Sequence, residues 1–502
     1  MSTEQIDGKA QEPTEEPGAT KPAAPTKAVL GADTSPAKKV EHFTLEERAA
    51  RGKAARAEVP RTSHAEWEPP PHRPDPVELL EDQAQSRVPE LVPIRYGRML
   101  VTPFTFFRGA AYLMASDLAG GTRTGLHTQL CGDAHLSNFG VFAAPDRRLV
   151  FAINDFDETL PGPFEWDVKR LVASFAVAGR DRGFDEKTRT EINTKVGRSY
   201  REAMRQFSDM RNLDLWYARI DVEDILQNFA SRATGEQRKR LEKNLEKTKT
   251  KDSLKAFDKL TEMVDGEPRI KSDPPLLVPV SELAGPLKAE DVSEAFRGLI
   301  RQYRRTLSGD RRRLLERFRY VDAARKVVGV GSVGTRAWVV LMLGRDGGDP
   351  LFLQAKEAQG SVLEPFLGKS AFGNCGQRVV EGQRLMQSAS DIMLGWLHTT
   401  GLDGEERDFY IRQLWDAKGS AMVEVMEPNA MEAYAELCAW TLARAHARSG
   451  DAVAIGSYLG SGDVFDKSMA TFAERYADQN ERDYEALKEA VDSGRVKAET
   501  GL

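Results

Sequence analysis

The stretch LCGDAHLSNFG, Leu130 to Gly140, followed by INDFDET, Ile153 to Thr159, decides the reading of the fold. In the first, an Asn stands five residues after an Asp. In the second, Asp155 ends the apolar run Leu149-Val-Phe-Ala-Ile153. Asp and Asn are common in turns, where they bond local backbone, so one such pair says little. Two acidic motifs in this order, each beside an expected strand, say more. A loop that curls between Asp133 and Asn138 turns both side chains to one site, and a buried strand aims Asp155 at its end. Phosphoryl transfer needs a base for the acceptor hydroxyl, oxygen ligands for magnesium and positive charge on the phosphates. Asp133 fits the first need, and Asn138 with Asp155 fits the second.

Working outward, LHTQLCGD and RRLVFAIND read as short strands flanking the motif. FFRGAAYLMASDLAGG reads as a helix stopped by Gly120 and Gly121. FEWDVKRLVASFAVAGR places Val168, Leu171, Val172, Phe175 and Ala176 at helical spacing. Upstream, residues 1–40 are rich in Pro, Ala, Thr, Glu and Lys and are expected to be disordered. LEERAARGKAAR reads as a short charged helix, and EPPPHRPDP as an extended connector. From Glu186 to Arg305 the chain reads mostly helical, and its charged stretch after Thr234 reads as a solvated face.

GDAHLSN resembles the catalytic loop of aminoglycoside and choline phosphotransferases, and INDFDET resembles their metal-binding motif. GPFEWDVKRLVASF is similar to the helix after that motif, whose Asp braces the catalytic loop. The stretch from about residue 60 to 180, with QAKEA and ARAHARSGD beyond it, resembles a bacterial family known as domain of unknown function 2252. The resemblance implies Asp133 as catalytic base, Asn138 and Asp155 as magnesium ligands, and Asp157 as an assistant to the metal or the acceptor. It implies support roles for His135 and Asp167, and packing for Cys131 where the phosphotransferases have His. Arg108, in FFRGAA, is expected to brace the acidic loop rather than bind an anion.

A protein kinase carries a Gly-rich hairpin, a strand Lys and a helix Glu before its catalytic loop. Here they follow it. Gly329, Gly331, Ser332 and Gly334 lie in GVGSVG, which fits G-x-G-x-x-G. A dinucleotide-binding fold requires a helix to open there. TRAWVVLML is instead β-branched and aromatic and runs into the turn GRDGGDP, so a hairpin is expected, with glycines that let backbone N–H groups approach phosphates. Lys356, in LQAK, then takes the place of the kinase strand Lys, with Gln354 where kinases keep a small Ala under the adenine. Glu381 is the expected partner of Lys356, with Glu357 and Glu364 as competitors. Hairpin, Lys strand, Glu helix, two strands (DIMLGW, DFYIRQLW), a hinge near Asp416 to Ser420 and the helix AYAELCAWTLARAHA follow kinase order. His446 and Asp451 read as packing or capping groups.

The expectation is therefore an α+β, protein-kinase-like, two-lobed fold that is circularly permuted and carries a helical insertion. Its parts are a tail over 1–40, catalytic-lobe motifs and the helical region over 41–310, a small β-rich nucleotide-binding lobe over 311–425, and C-terminal helices over 426–502. The resemblance implies ATP and magnesium as cofactors and an unidentified small-molecule hydroxyl acceptor. A non-catalytic nucleotide-binding scaffold and a nucleotidyl (AMP) transferase are the alternatives. With 71 Lys and Arg against 77 Asp and Glu, a net charge of −6 argues against a nucleic-acid partner. Three scattered cysteines suggest a reduced compartment and no zinc cluster. No apolar run of membrane-spanning length is present, so a cytoplasmic protein without a membrane partner is expected. Oligomeric state leaves no mark in the sequence.

Overall fold

The structure, a computed structural model, describes residues 41–501 apart from most of 231–251 and positions 284, 286, 287, 402 and 415. The expected N-terminal tail and most of the charged stretch after Thr234 lie outside the described residues. The fold is α+β with several antiparallel sheets.

The largest core is helical. Its centre is the helix Phe164–Asp181, which is buried along nearly its whole length. Around it pack Glu186–Ser208, Pro428–Ser449 and Val464–Asp492. The N-terminal helix Leu45–Glu58 starts from a capping box, in which Thr44 and Glu47 each satisfy the other's backbone N–H. It lies on Ala452–Leu459. FFRGAAYLMASDLAGG forms two helices rather than one, Pro103–Gly109 and Ala111–Ala119, because Ala110 leaves helical geometry at φ −109°, ψ 30°.

Against this core sit two small sheets. β1 (His127–Leu130) pairs with β4 (Leu160–Pro163). β2 (Phe139–Ala143) and β3 (Leu149–Ile153) form a second sheet, with β5 (Ile220–Asp221) on one edge. β6 (Thr261–Val264) and β7 (Glu267–Ile270) make a separate hairpin.

The third large element is a six-stranded antiparallel sheet. It contains β8 (Leu277–Pro279), β9 (Arg319–Lys326), β10 (Ala337–Leu343), β11 (Pro350–Ala358), β12 (Gly395–Thr400) and β13 (Glu406–Gln413). Their order is β12-β13-β11-β10-β9-β8. β10, AWVVLML, is apolar throughout because both its faces are covered. Trp338, Val340 and Met342 face a cluster with Phe296, Leu299 and Tyr303 of the helix Ala289–Tyr303 and its end. Val339, Leu341 and Leu343 face Ala256 and Leu260 of the helix Ser253–Leu260, with Ile270 of β7. Strand alternation thus splits one apolar run between two cores.

Most of the described residues of 186–305 are helical, as expected, with the short strands β5 to β8 falling between the helices. The large sheet takes its first strand, β8, from Leu277–Pro279, upstream of residue 311. β8 is an edge strand, where Pro279 loses no ladder bond that matters. DIMLGW is strand only from Gly395, because Asp391 first makes a turn by accepting from the Met393 N–H at 2.7 Å. β14 (Gly419–Ser420) returns from the large sheet to pair with β2, so the chain after β13 is stitched directly to the strand behind Asn138.

Candidate active site

The loop between β1 and β2 carries Asp133 and Asn138. It is held from below by one stripe of the helix Phe164–Asp181. Asp167 accepts from the N–H groups of Cys131 at 2.8 Å and Gly132 at 3.1 Å. Arg170, three residues on, donates from Nε to Asp133 Oδ1 at 2.9 Å. Ser174, four further, accepts from the Leu136 N–H at 3.0 Å. Positions 167, 170 and 174 share one helical face, which is why a single helix can set the whole loop. Asp167 is itself fixed by His446 Nε2 at 3.1 Å, and His446 Nδ1 meets the Tyr200 hydroxyl at 2.8 Å. Inside the loop, Asn138 Nδ2 donates to the Asp133 carbonyl at 2.9 Å.

Gly132 sits at φ +83°, and a Cβ there would lie 2.3 Å from the Glu158 carbonyl oxygen. Gly132→Ala is expected to lose about 1–3 kcal/mol to the left-handed backbone alone, with the clash added. Denaturant unfolding checks this.

Burial pushes the Asp133 carboxyl above its ordinary range, and the Arg170 guanidinium holds it back. His135 Nε2 lies 3.6 Å from Asp133 Oδ2. Burial and the nearby Arg108 and Arg170 charges push the His135 imidazole well below its ordinary value, so it is neutral there. Arg108 does not brace the acidic loop by a hydrogen bond; Arg170 occupies that place. Arg108 instead lines the cleft, with its buried Nε lacking a partner.

Asp155 and Asp157 follow β3. Burial and then the Asp157 charge push Asp155 upward, the condition that a bound cation relieves. Asp157 is pulled down despite burial, because Lys356 Nζ lies 2.6 Å from Oδ2. The Tyr410 hydroxyl donates to Asp157 Oδ1 at 2.6 Å. Lys356 and Tyr410 are direct partners across β11 and β13. Asp157 is therefore the anchor of Lys356, with both its oxygens engaged.

Glu381 does not pair with Lys356; it bonds Arg384 at 3.0 Å. The helix Cys375–Met386 turns another face inward. Arg378 donates to the carbonyls of Asp157, Thr159 and Gln359, each within 2.8 Å. Gly382, one turn on, presses on Thr159, where a Cβ would meet its side chain at 2.5 Å. With that face used, Glu381 points away. Glu357 is also taken, by Arg336 at 3.4 Å and Arg407 at 3.6 Å.

The loop joining β9 to β10 holds Gly329 and Gly334 at φ +68° and +90°. It is tied to the N-terminal helices. Arg98 Nη1 donates to the Gly329 carbonyl at 2.6 Å, the Val88 N–H donates to Gly334 at 2.8 Å, and Arg87 reaches the Val333 carbonyl. Gly329, Gly331 and Ser332 face the cleft that Asp133, Asn138 and Asp155 line from the other side. Gly334 lies behind, against Arg87.

Several charged groups escaped the sequence reading, among them Arg170, Lys418 and Glu158. Arg170 carries a signal, its i+3 spacing from Asp167. Lys418 and Glu158 carry none. Arg412 beside it, and then burial, bring the Lys418 ammonium down to about 7. Burial pushes Glu158 up to about 7, against the Arg378 charge and the Val362 N–H. A carboxyl raised in the folded state binds its proton more tightly there, so its contribution is full below the unfolded value of 4.5 and is lost as pH rises through 7. Between about pH 5 and 8 the protein is expected to lose on the order of 1–3 kcal/mol that Glu158→Gln retains. Urea unfolding across that range measures the difference.

Asn138 and Asp155 are hard oxygen donors lining one cleft, and magnesium is bound by one or two carboxylates together with substrate phosphates. The residues present fit that ion. Among the described residues, no group of three or more His, Cys, Asp or Glu side chains forms a complete metal cage. Cys131, Cys375 and Cys438 are free thiols. No described helix is long and apolar enough to cross a membrane.

No curated protein and no solved structure matches the chain. A family model does, over residues 87–490, and its description is an uncharacterized protein conserved in bacteria. That span holds all the described residues that line the cleft except Gln83 and Ser86, and the chain belongs to this bacterial family, domain of unknown function 2252.

Proposed function

We propose that the protein is a metal-dependent phosphotransferase of the kinase-like class, which moves the terminal phosphoryl group of a phosphoanhydride donor, ATP by resemblance, to a small-molecule hydroxyl. One observation carries the reading. Lys356, 199 residues away in sequence, meets Asp157 at the wall of the cleft that also holds Asp133, Asn138, Asp155 and the glycine loop. A hairpin, a Lys strand, a helix and two further strands follow one another in the large sheet, and the loop of Asp133 precedes them all. That order supports a permuted kinase-like arrangement.

In this reading Asp133 takes the acceptor proton, with Arg170 fixing its carboxylate. Asn138 and Asp155 would hold magnesium, which supplies neutralisation of charge on the donor phosphates. Lys356, set by Asp157, and the backbone N–H groups of the glycine loop would orient those phosphates.

Incubation with γ-labelled or α-labelled ATP, magnesium and a bacterial metabolite extract tests the proposal. Label moving from the γ position supports it. Label moving from the α position supports nucleotidyl transfer, and saturable binding without transfer supports a scaffold.

A further inference from the structure

The cleft, of about 210 Å³, has a mixed lining whose apolar part comes from small side chains and glycines. Val330 and Val362 are its largest aliphatic members, and among the described residues no Phe, Tyr, Trp, Leu or Ile side chain lines it. Sites for flat organic groups are lined mainly by apolar and aromatic side chains. A base stacks on broad walls of this kind, and the described lining presents no aromatic or large aliphatic one.

The neighbouring surface is sealed. Along the face of β11 that carries Lys356, Gln354 is 6% exposed and Phe352 is 1% exposed. Their cross-strand partners, Val339 and Leu341, are 0% exposed. This face is packed by Ala256 and Leu260 of the helix Ser253–Leu260, by Ile270 and by Leu414. Arg412 closes the remaining side, donating to Gln354 Oε1 at 3.4 Å and to the Asn154 carbonyl at 3.1 Å. A base stacked on this face would have to displace both the helix and Arg412.

Two guanidinium groups share the cleft with its carboxylates. The Nε atoms of Arg87 and Arg108, both in its lining, are buried and have no hydrogen-bond partner. A desolvated guanidinium nitrogen without an acceptor is costly, and phosphate oxygens satisfy it.

We propose that the donor is held by its phosphates and metal alone, and that it is an inorganic polyphosphate rather than a nucleoside triphosphate. The proposal rests on the phosphotransferase reading above. The acceptor oxygen bonds to the terminal phosphorus as the terminal P–O–P bridge breaks. The bridge electron pair leaves with the shortened chain, and the hydroxyl proton passes to Asp133. Arg108 and Arg87 contact phosphates further along the chain. ATP enters the same site by its triphosphate with the base outside, so the label assay applies to either donor.

Calorimetric titration of the full chain in magnesium, with tripolyphosphate, ATP and adenosine, decides the matter. Tripolyphosphate is expected to bind at least as tightly as ATP, and adenosine is expected neither to bind nor to compete. Arg108→Met, checked for folding by its melting curve, is expected to weaken tripolyphosphate by about tenfold or more, with partial recovery in Arg108→Lys. ATP binding about tenfold tighter than tripolyphosphate, or competition by adenosine, overturns the donor assignment and leaves the phosphotransferase reading standing. Tripolyphosphate binding indifferent to Arg108→Met also overturns it. Failure of both polyanions to bind defeats the phosphotransferase reading as well.

Discussion

Asp133→Asn is expected to lower the transfer rate by about 10²–10⁴-fold, the range that a positioned general base contributes. Donor and magnesium affinity should stay near those of the native protein. The reason is geometric. Asp133 is presented to the cleft by a loop whose backbone is fixed by Asp167 and Ser174, and none of these three bonds involves the Asp133 side chain. Asn keeps the shape and can still accept from Arg170, but it takes no proton. Steady-state rates beside direct binding measurements separate the two quantities. An equal loss in both would mean that Asp133 holds a ligand rather than a proton.

Asp155→Asn should act at another step. It removes a charge that burial and the Asp157 carboxylate disfavour, so the apo protein is expected to become slightly more stable while its activity falls. At low magnesium the rate should drop by about 10²-fold or more, since even outer-shell partners of a metal are worth 10–100-fold. Raising magnesium should recover part of this loss, whereas it should recover none of the loss in Asp133→Asn. A magnesium titration of the rate in both variants makes the comparison. The same response in both would remove the distinction between base and metal ligand.

Much of this cleft was legible in the sequence because its chemistry is local. Asp133 and Asn138 lie within one loop, Asp155 ends a recognisable apolar strand, and the glycines precede a β-branched run. Asp167 was legible through the resemblance of GPFEWDVKRLVASF to the helix that braces the catalytic loop of the phosphotransferases. The partners of these groups were not legible, because they are tertiary. Glu381 looked suitable by spacing, but which face of its helix turns inward is set by Arg378 and Gly382 packing on Thr159. Asp157 took its place as counter-ion of Lys356 through a contact across 199 positions. The apolar run of β10 announced a strand but not that two separate cores share it. The insertion before residue 305 gave no hint that its helix Ser253–Leu260 would cover the sheet beside Gln354. Pairings that join distant segments depend on which surfaces remain exposed once local elements have formed, and a single chain does not display that.

The central claim is that the acidic motifs and the glycine-loop sheet serve one phosphate-bearing substrate. Structure determination with magnesium and a non-hydrolysable phosphoanhydride analogue tests it most directly. The account predicts one magnesium bound by Asn138 Oδ1, Asp155 and a phosphate oxygen at about 2.0–2.1 Å. It also predicts a phosphate within hydrogen-bond reach of Lys356 or the glycine-loop N–H groups, and its terminal phosphorus facing Asp133. Metal and phosphates bound away from Asp155, or a phosphate chain that touches only one of the two motif sets, would contradict it.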